Sequence, residues 1–130
     1  MVQSTAIERG IGAPHLKDIK RPIDIAHLGR QALGDGGLAL EVLRIFDDTS
    51  RDYLTRLETS TNVPDLIRHL HSINGAAAGI GAWSLRDLAR SAENDLRGGA
   101  PVNPERIEDI SMAVEEVSAF IAELVEADEE

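Results

Sequence analysis

The spacing of apolar residues is the feature that most constrains the fold of this chain. Apolar side chains recur every three or four positions along most of its 130 residues, which is typical of amphipathic α-helices. No stretch shows the alternation of a half-buried β-strand. Aromatic residues make up only 3% of the chain, so its core must be built from leucine, isoleucine, valine and alanine. These features predict one all-α domain.

Interruptions in the apolar pattern divide the chain into a tail and five helices. Residues 1–21 mix glycine, proline and charge without a period, which predicts a flexible N-terminal tail, and residues 22–126 are predicted to form the domain. The predicted helices, of which the first is short, cover residues 25–33, 36–58, 65–79, 83–97 and 104–125. Because short loops join antiparallel neighbours, we expect an up-and-down antiparallel four-helix bundle with a short extra N-terminal helix.

Capping residues and apolar stripes give these helices their predicted ends and faces. Asp24 and Asn103 are predicted N-caps, and Pro64 lies where a first helical turn tolerates proline. The first helix is predicted to present Ile25, Leu28 and Leu33 to the core. The second is predicted to present Leu38, Val42, Ile45, Phe46, Leu54 and Leu57.

Charge and composition exclude several classes of function. The formal net charge of −10 argues against nucleic acid, which needs a basic face, and against anionic membrane surfaces. The absence of cysteine excludes thiolate zinc sites and a cysteine nucleophile. No run approaches the ~18 apolar residues of a membrane span, and the first residues lack the apolar core of a signal peptide. We therefore expect a cytoplasmic protein.

His71 lies in a stretch that is unusually rich in glycine and alanine, residues 69–82, which reads HLHSINGAAAGIGA. Each glycine inside a helix costs about 1 kcal/mol relative to alanine, so glycine here needs another reason. On a helical wheel His71 lies about 140° from the apolar stripe that begins at Leu66. His71 is therefore predicted to be exposed. Gly75 and Gly79 follow on nearby positions and would uncover the imidazole and let another molecule approach the backbone.

An exposed imidazole without a partner base suits one class of reaction. Its unprotonated form is a nucleophile near neutral pH. Phosphoryl transfer depends mostly on positioning and charge neutralisation, so the metal and the acidic residues can belong to a partner. His71 is thus the candidate acceptor of a phosphoryl group.

The stretch His71-Ser72-Ile73-Asn74-Gly75-Ala76-Ala77 resembles the motif of histidine-containing phosphotransfer (HPt) domains, usually His-x-Leu-Lys-Gly followed by small residues. The resemblance covers residues 22–125 and includes GDGGLALEVLRIF at 34–46 and LRDLARSAENDLRGG at 85–99. It implies a four-helix bundle in which His71, usually through Nε2, exchanges phosphate with an aspartate of a response-regulator receiver domain. It also implies a hybrid sensor histidine kinase as a partner, and Mg²⁺ supplied by the receiver.

The chain departs from this motif at Asn74, where the family usually has lysine. Asn74 donates only a neutral hydrogen bond, which is weaker than a charge-assisted one. Arg68, one turn before His71, is the preferred substitute for the missing charge, with Arg86 and Arg90 as further candidates. The predicted partner face comprises Arg68, His71, Asn74, Gly75, Ala78 and Gly79, with Arg86 and Arg90 as secondary members.

The remaining histidines are given structural roles. His69 is predicted at the edge of the core, His15 in the tail and His27 on the surface of the first helix. His69 and His71 face different ways, so they form no metal pair, and no Glu-x-x-His motif supports a di-iron site. We expect no intrinsic metal or cofactor.

Other functions fit the sequence less well. GAAAGIG follows a helical pattern and not a strand, so it is a weak dinucleotide fingerprint. The chain has no P-loop and no kinase domain, so we expect a phosphocarrier that does not phosphorylate itself from ATP. A monomer suffices for this chemistry. An unrelated helical bundle that only dimerises would show an exposed apolar seam along one helix, and the sequence has no such seam. The alternative that stays open is a non-catalytic helical adaptor that docks on a receiver or kinase domain, with Asn74 marking lost activity.

Overall fold

The structure is a computed structural model that describes residues 21–129, with the side chains of 21–128. Apart from residue 21, the predicted tail lies outside these residues. The described part is helical and contains no strand. Its helices are α1 Ile25–Gln31, α2 Gly36–Thr59, α3 Val63–Ile80, α4 Trp83–Arg97 and α5 Pro104–Glu129. The all-α prediction is confirmed.

The four longer helices form a bundle. α2 packs against α3 and α5, α4 packs against the same two helices, and α1 lies across α2 and α3. Leu43, Leu57, Leu70, Leu85 and Ile110 are among its fully buried side chains. The core therefore has the aliphatic composition that the scarcity of aromatic residues predicts.

The predicted N-cap residues accept hydrogen bonds from backbone N–H groups in the first turns of their helices. Asp24 Oδ1 accepts the His27 N–H at 3.0 Å, and Asn103 Oδ1 accepts the Glu105 N–H at 3.0 Å. α3 begins two residues earlier than predicted, because Asn62 caps it and Pro64 occupies its first turn. Each cap satisfies a backbone donor that has no partner inside its helix.

Three apolar residues predicted to line the core are exposed. Leu33 lies beyond the end of α1 with a positive φ of 56° and is 90% exposed. Leu38 and Ile45 are 45% and 58% exposed. The stripe of α2 that reaches the core includes Ala39 and Leu43 instead, and this competing set also has helical spacing.

A tight connection joins α3 to α4. Gly81 adopts the left-handed conformation with φ 80°, and the Ala82 N–H donates to the Ala77 carbonyl at 2.9 Å. A Cβ on Gly81 would lie 3.0 Å from the Asp24 Cβ, so glycine is needed here for both its backbone and its size. Because only two residues separate the helices, α3 and α4 run antiparallel.

α1 is attached to the start of α4 through polar contacts. The Trp83 Nε1–H donates to Asp24 Oδ2 at 2.9 Å, and the Asp24 N–H donates to the Gly81 carbonyl at 2.9 Å. The His27 ring meets the Trp83 ring edge-on, with centroids 4.9 Å apart. His27, predicted to be a surface residue, is half-buried, because the indole covers part of its ring.

Candidate functional site

His71 lies in the middle of α3, on the side away from the core. Its side chain is 69% exposed, whereas Leu70 and Ile73 beside it are buried. This placement follows from the 3.6-residue period, which puts the apolar stripe of α3 on the opposite side. The imidazole predicted to be accessible is accessible.

A buried carboxylate from α4 holds the His71 ring. His71 Nδ1 lies 3.1 Å from Glu93 Oε2, and the Glu93 side chain is only 7% exposed. A carboxylate accepts hydrogen bonds, so Nδ1 carries the hydrogen and donates it. The lone pair of the neutral ring is then on Nε2, the nitrogen turned away from Glu93.

Arg97 completes this arrangement one turn further along α4. Its Nε–H donates to the same Oε2 atom of Glu93 at 2.8 Å. A buried carboxylate is costly unless it is paired and hydrogen-bonded. Arg97 and His71 both provide that partnership, so the three side chains form one charge-balanced group.

The surface next to His71 is bare because glycine and alanine occupy it. A Cβ placed on Gly75 or on Gly79 would meet no atom within 4 Å. Neither glycine is therefore required for packing among the described residues, in contrast to Gly81. Ala78 lies half-buried on the same stretch. The open space is suited to close approach by another molecule.

Two of the predicted arginines are engaged elsewhere. Arg68 Nη2 pairs with Asp65 Oδ1 at 2.8 Å, and hydrogen bonds from Asn62 and Arg68 lower the pKa of the Asp65 carboxyl. Arg86 pairs with Asp87 at 2.8 Å, and its guanidinium lies 4.8 Å from the centre of the Trp83 ring.

Arg90 and Asn74 differ from these residues. Arg90 is exposed and Asn74 is half-buried, and neither side chain forms a hydrogen bond or ion pair with residues 21–128. Within this part of the chain no such contact joins a predicted arginine to His71. The predicted residues thus share a surface, but their side chains are not linked to the imidazole.

Sequence reasoning missed Glu93 and Arg97, the two side chains that do form a network with His71. The available signal was weak: Glu93 falls next to Ala92 and four residues after Ala89, at the margin of the buried stripe of α4. A glutamate at such a position needs a partner. Arg97, four residues later, is one that helical spacing could have suggested.

Among residues 21–128, neither the other histidines nor any group of metal-binding side chains forms a second centre. His69 is half-buried, as expected for the edge of the core, while His15 lies outside the described residues. No group of three or more metal-binding side chains occurs in the part of the chain that the structure describes. None of its described helices is long and apolar enough to cross a membrane.

Comparison with known proteins gives one positive result. A family model described as the Hpt domain matches residues 41–125, which is more than half of the 130-residue chain. The matched region holds most of α2 and all of α3 and α4, and thus His71, Glu93 and Arg97. No curated protein and no solved structure gives a significant match.

Proposed function

This chain belongs to the Hpt domain family, and from that premise we propose that His71 is its phosphoryl acceptor. Membership implies histidine phosphotransfer in phosphorelay signalling, and Hpt domains interact with receiver domains of response regulators. The observation that supports His71 is the pairing of its Nδ1 with buried Glu93, which leaves Nε2 as the exposed nucleophile.

The proposed step moves a phosphoryl group between two side chains. The Nε2 lone pair of His71 attacks the phosphorus of an aspartyl phosphate on the receiver. The P–N bond forms, the P–O bond breaks, and the aspartate leaves as a carboxylate. The ring becomes positively charged with its hydrogen on Nδ1, and the hydrogen bond to the Glu93 carboxylate stabilises that charge. In the reverse direction the P–N electron pair returns to Nε2.

The proposed partner face is the side of α3 that carries His71, together with the adjoining part of α4. Its members are Arg68, Asn74, Gly75, Ala78, Gly79, Arg86 and Arg90. The two bare glycines support this assignment, since they lower helix stability without serving the packing of the described residues. Contacts of this kind are typically transient and modest in area.

The proposal also covers the partners of this chain, its oligomeric state and the arrangement of its helices. The receiver supplies the Mg²⁺, a hybrid sensor histidine kinase feeds the relay, and this chain contributes no ATP site or cofactor. It acts as a monomer in the cytoplasm, and its four long helices run up and down. The direct antiparallel connection between α3 and α4 supports that arrangement.

A transfer assay tests this function. Several receiver domains are phosphorylated with acetyl phosphate and Mg²⁺ and mixed with the full chain, its His71→Gln variant and its His69→Gln variant. We expect acid-labile, base-stable phosphate on the wild type and on His69→Gln, and none on His71→Gln. Binding without transfer from every receiver would instead favour the docking adaptor, which the neutral Asn74 suggests.

A further inference from the structure

Phosphorylation would place new negative charge in a site whose nearest charged groups are already balanced. A phosphoryl group on Nε2 brings about −1.5 to −2 charges, which the positive charge of the ring offsets only in part. Glu93 adds a carboxylate on the other side of the ring, and the guanidinium of Arg97 is committed to that carboxylate at 2.8 Å. Asn74 is neutral. The phosphorylated site therefore needs a further cation.

Arg90 is the arginine of α3 and α4 that remains uncommitted. Within residues 21–128 it forms no hydrogen bond or ion pair, whereas Arg68, Arg86 and Arg97 each pair with a carboxylate. Its side chain is exposed. Arg90 can therefore turn toward a new anion without breaking an existing ion pair in this part of the chain.

The register of α3 and α4 places Arg90 within one helical turn of the level of His71. Because the helices are antiparallel and His71 contacts Glu93, three residues forward on α3 correspond to three residues back on α4. Asn74 thus lies at the level of Arg90. The displacement along the helix axis is about 4.5 Å, less than one turn, and an extended arginine side chain spans that distance.

We propose that Arg90 neutralises the phosphoryl group carried by His71. This inference rests on the function proposed above and adds the residue that stabilises the phosphorylated state. The planar guanidinium suits phosphoryl oxygens, to which it can donate two parallel hydrogen bonds.

The lifetime of the phosphohistidine tests this role without the partner. The full-length wild type, Arg90→Ala and Arg90→Lys are phosphorylated by a receiver that transfers to the wild type, and the receiver is then removed. Arg56→Ala is the matched control, because Arg56 is an exposed α2 arginine that pairs with Asp52. Melting curves confirm that each variant folds.

We expect Arg90→Ala to shorten the lifetime by about tenfold, as for one lost charge-assisted hydrogen bond, with Arg90→Lys intermediate and Arg56→Ala unchanged. Adding Asn74→Lys to Arg90→Ala should lengthen the lifetime again, since it places a cation on the facing helix.

An Arg90→Ala lifetime equal to that of Arg56→Ala overturns the inference. So does slower transfer with an unchanged lifetime, because Arg90 would then act on the partner. Either result leaves the proposed function intact, whereas a wild type that accepts no phosphate removes the proposed function itself.

Discussion

At the scale of single residues, the contact between His71 and Glu93 gives an exposed imidazole a fixed orientation. A free side chain on a helix surface samples several rotamers. Here the 3.1 Å contact to a buried carboxylate selects one ring orientation and one tautomer. Glu93 is thus a positioning residue, and Arg97 in turn holds its carboxylate.

Replacing Glu93 by alanine should slow phosphotransfer by about tenfold to a hundredfold, because the nucleophile loses its fixed position. Glu93→Gln keeps an acceptor for the Nδ1–H and should be affected less. The measurement is the rate of transfer from a phosphorylated receiver, with ¹⁵N shifts of His71 reporting the tautomer. Transfer at the wild-type rate by Glu93→Ala, with an unchanged tautomer, would rule out the positioning role.

Gly75 lowers the stability of α3, because glycine is less favourable than alanine inside a helix. Because no atom lies within 4 Å of a Cβ placed there, Gly75→Ala should raise the free energy of unfolding by about 1 kcal/mol through helix propensity. The same substitution should weaken binding to the receiver by partly filling the bare surface. Urea unfolding and receiver titration measure the two effects. A variant that is less stable, or that binds the receiver as well as the wild type, contradicts this explanation.

Local periodicity accounts for the part of the site that the sequence predicts. The exposure of His71 depends only on the helical position of its neighbours on α3, which the sequence supplies. Its contact with Glu93 joins residues 22 positions apart and depends on how α3 and α4 pack. Periodicity does not determine that register, so Glu93 and Arg97 could not be assigned to the site in advance.

At the scale of elements, α1 is held to the bundle by Asp24, which caps its own helix and also accepts from Trp83. Such caps are local, so the sequence predicted Asp24 correctly. The core-facing side of α2 was predicted less well. Two sets of residues in α2 have helical spacing, and α3 and α5 cover the one that contains Leu43 and not the one that contains Ile45. Burial by other helices decides between them.

Asp24 gives α1 a dependence on acidity. Burial raises the pKa of its carboxyl, but the hydrogen bonds from Trp83 and His27 outweigh burial and lower it below the ordinary value of 3.8. A lowered folded-state pKa means that the stabilisation is fully present above 3.8 and is lost as the pH falls through the lower, folded-state value.

Asp24→Asn should therefore melt a few degrees below the wild type at pH 7, and this difference should shrink as the pH falls below 3.8. Thermal unfolding followed by circular dichroism across this pH range measures it. A difference that stays constant down to the lowest pH would show that the charge of Asp24 does not stabilise α1.

At the scale of the whole molecule, charge is unevenly distributed over the bundle. The net charge is −10, and α5 alone carries a long series of glutamates and aspartates with a single arginine, Arg106. Arg68, Arg86, Arg90 and Arg97 lie instead on α3 and α4, the helices of the site. These two helices also carry Asp65, Asp87, Glu93 and Asp95, which offset the four arginines. An acidic partner surface would thus be repelled less by the His71 side than by α5.

The most direct test of the account is to identify the atom that carries the phosphate. The full chain, labelled with ¹⁵N-histidine, is phosphorylated by a receiver and examined by ³¹P and ¹⁵N NMR. The account predicts one phosphohistidine, with phosphorus bonded to Nε2 of His71 and hydrogen on Nδ1 toward Glu93. Phosphate on His71 Nδ1, or on another residue while His71 stays unmodified, would contradict it.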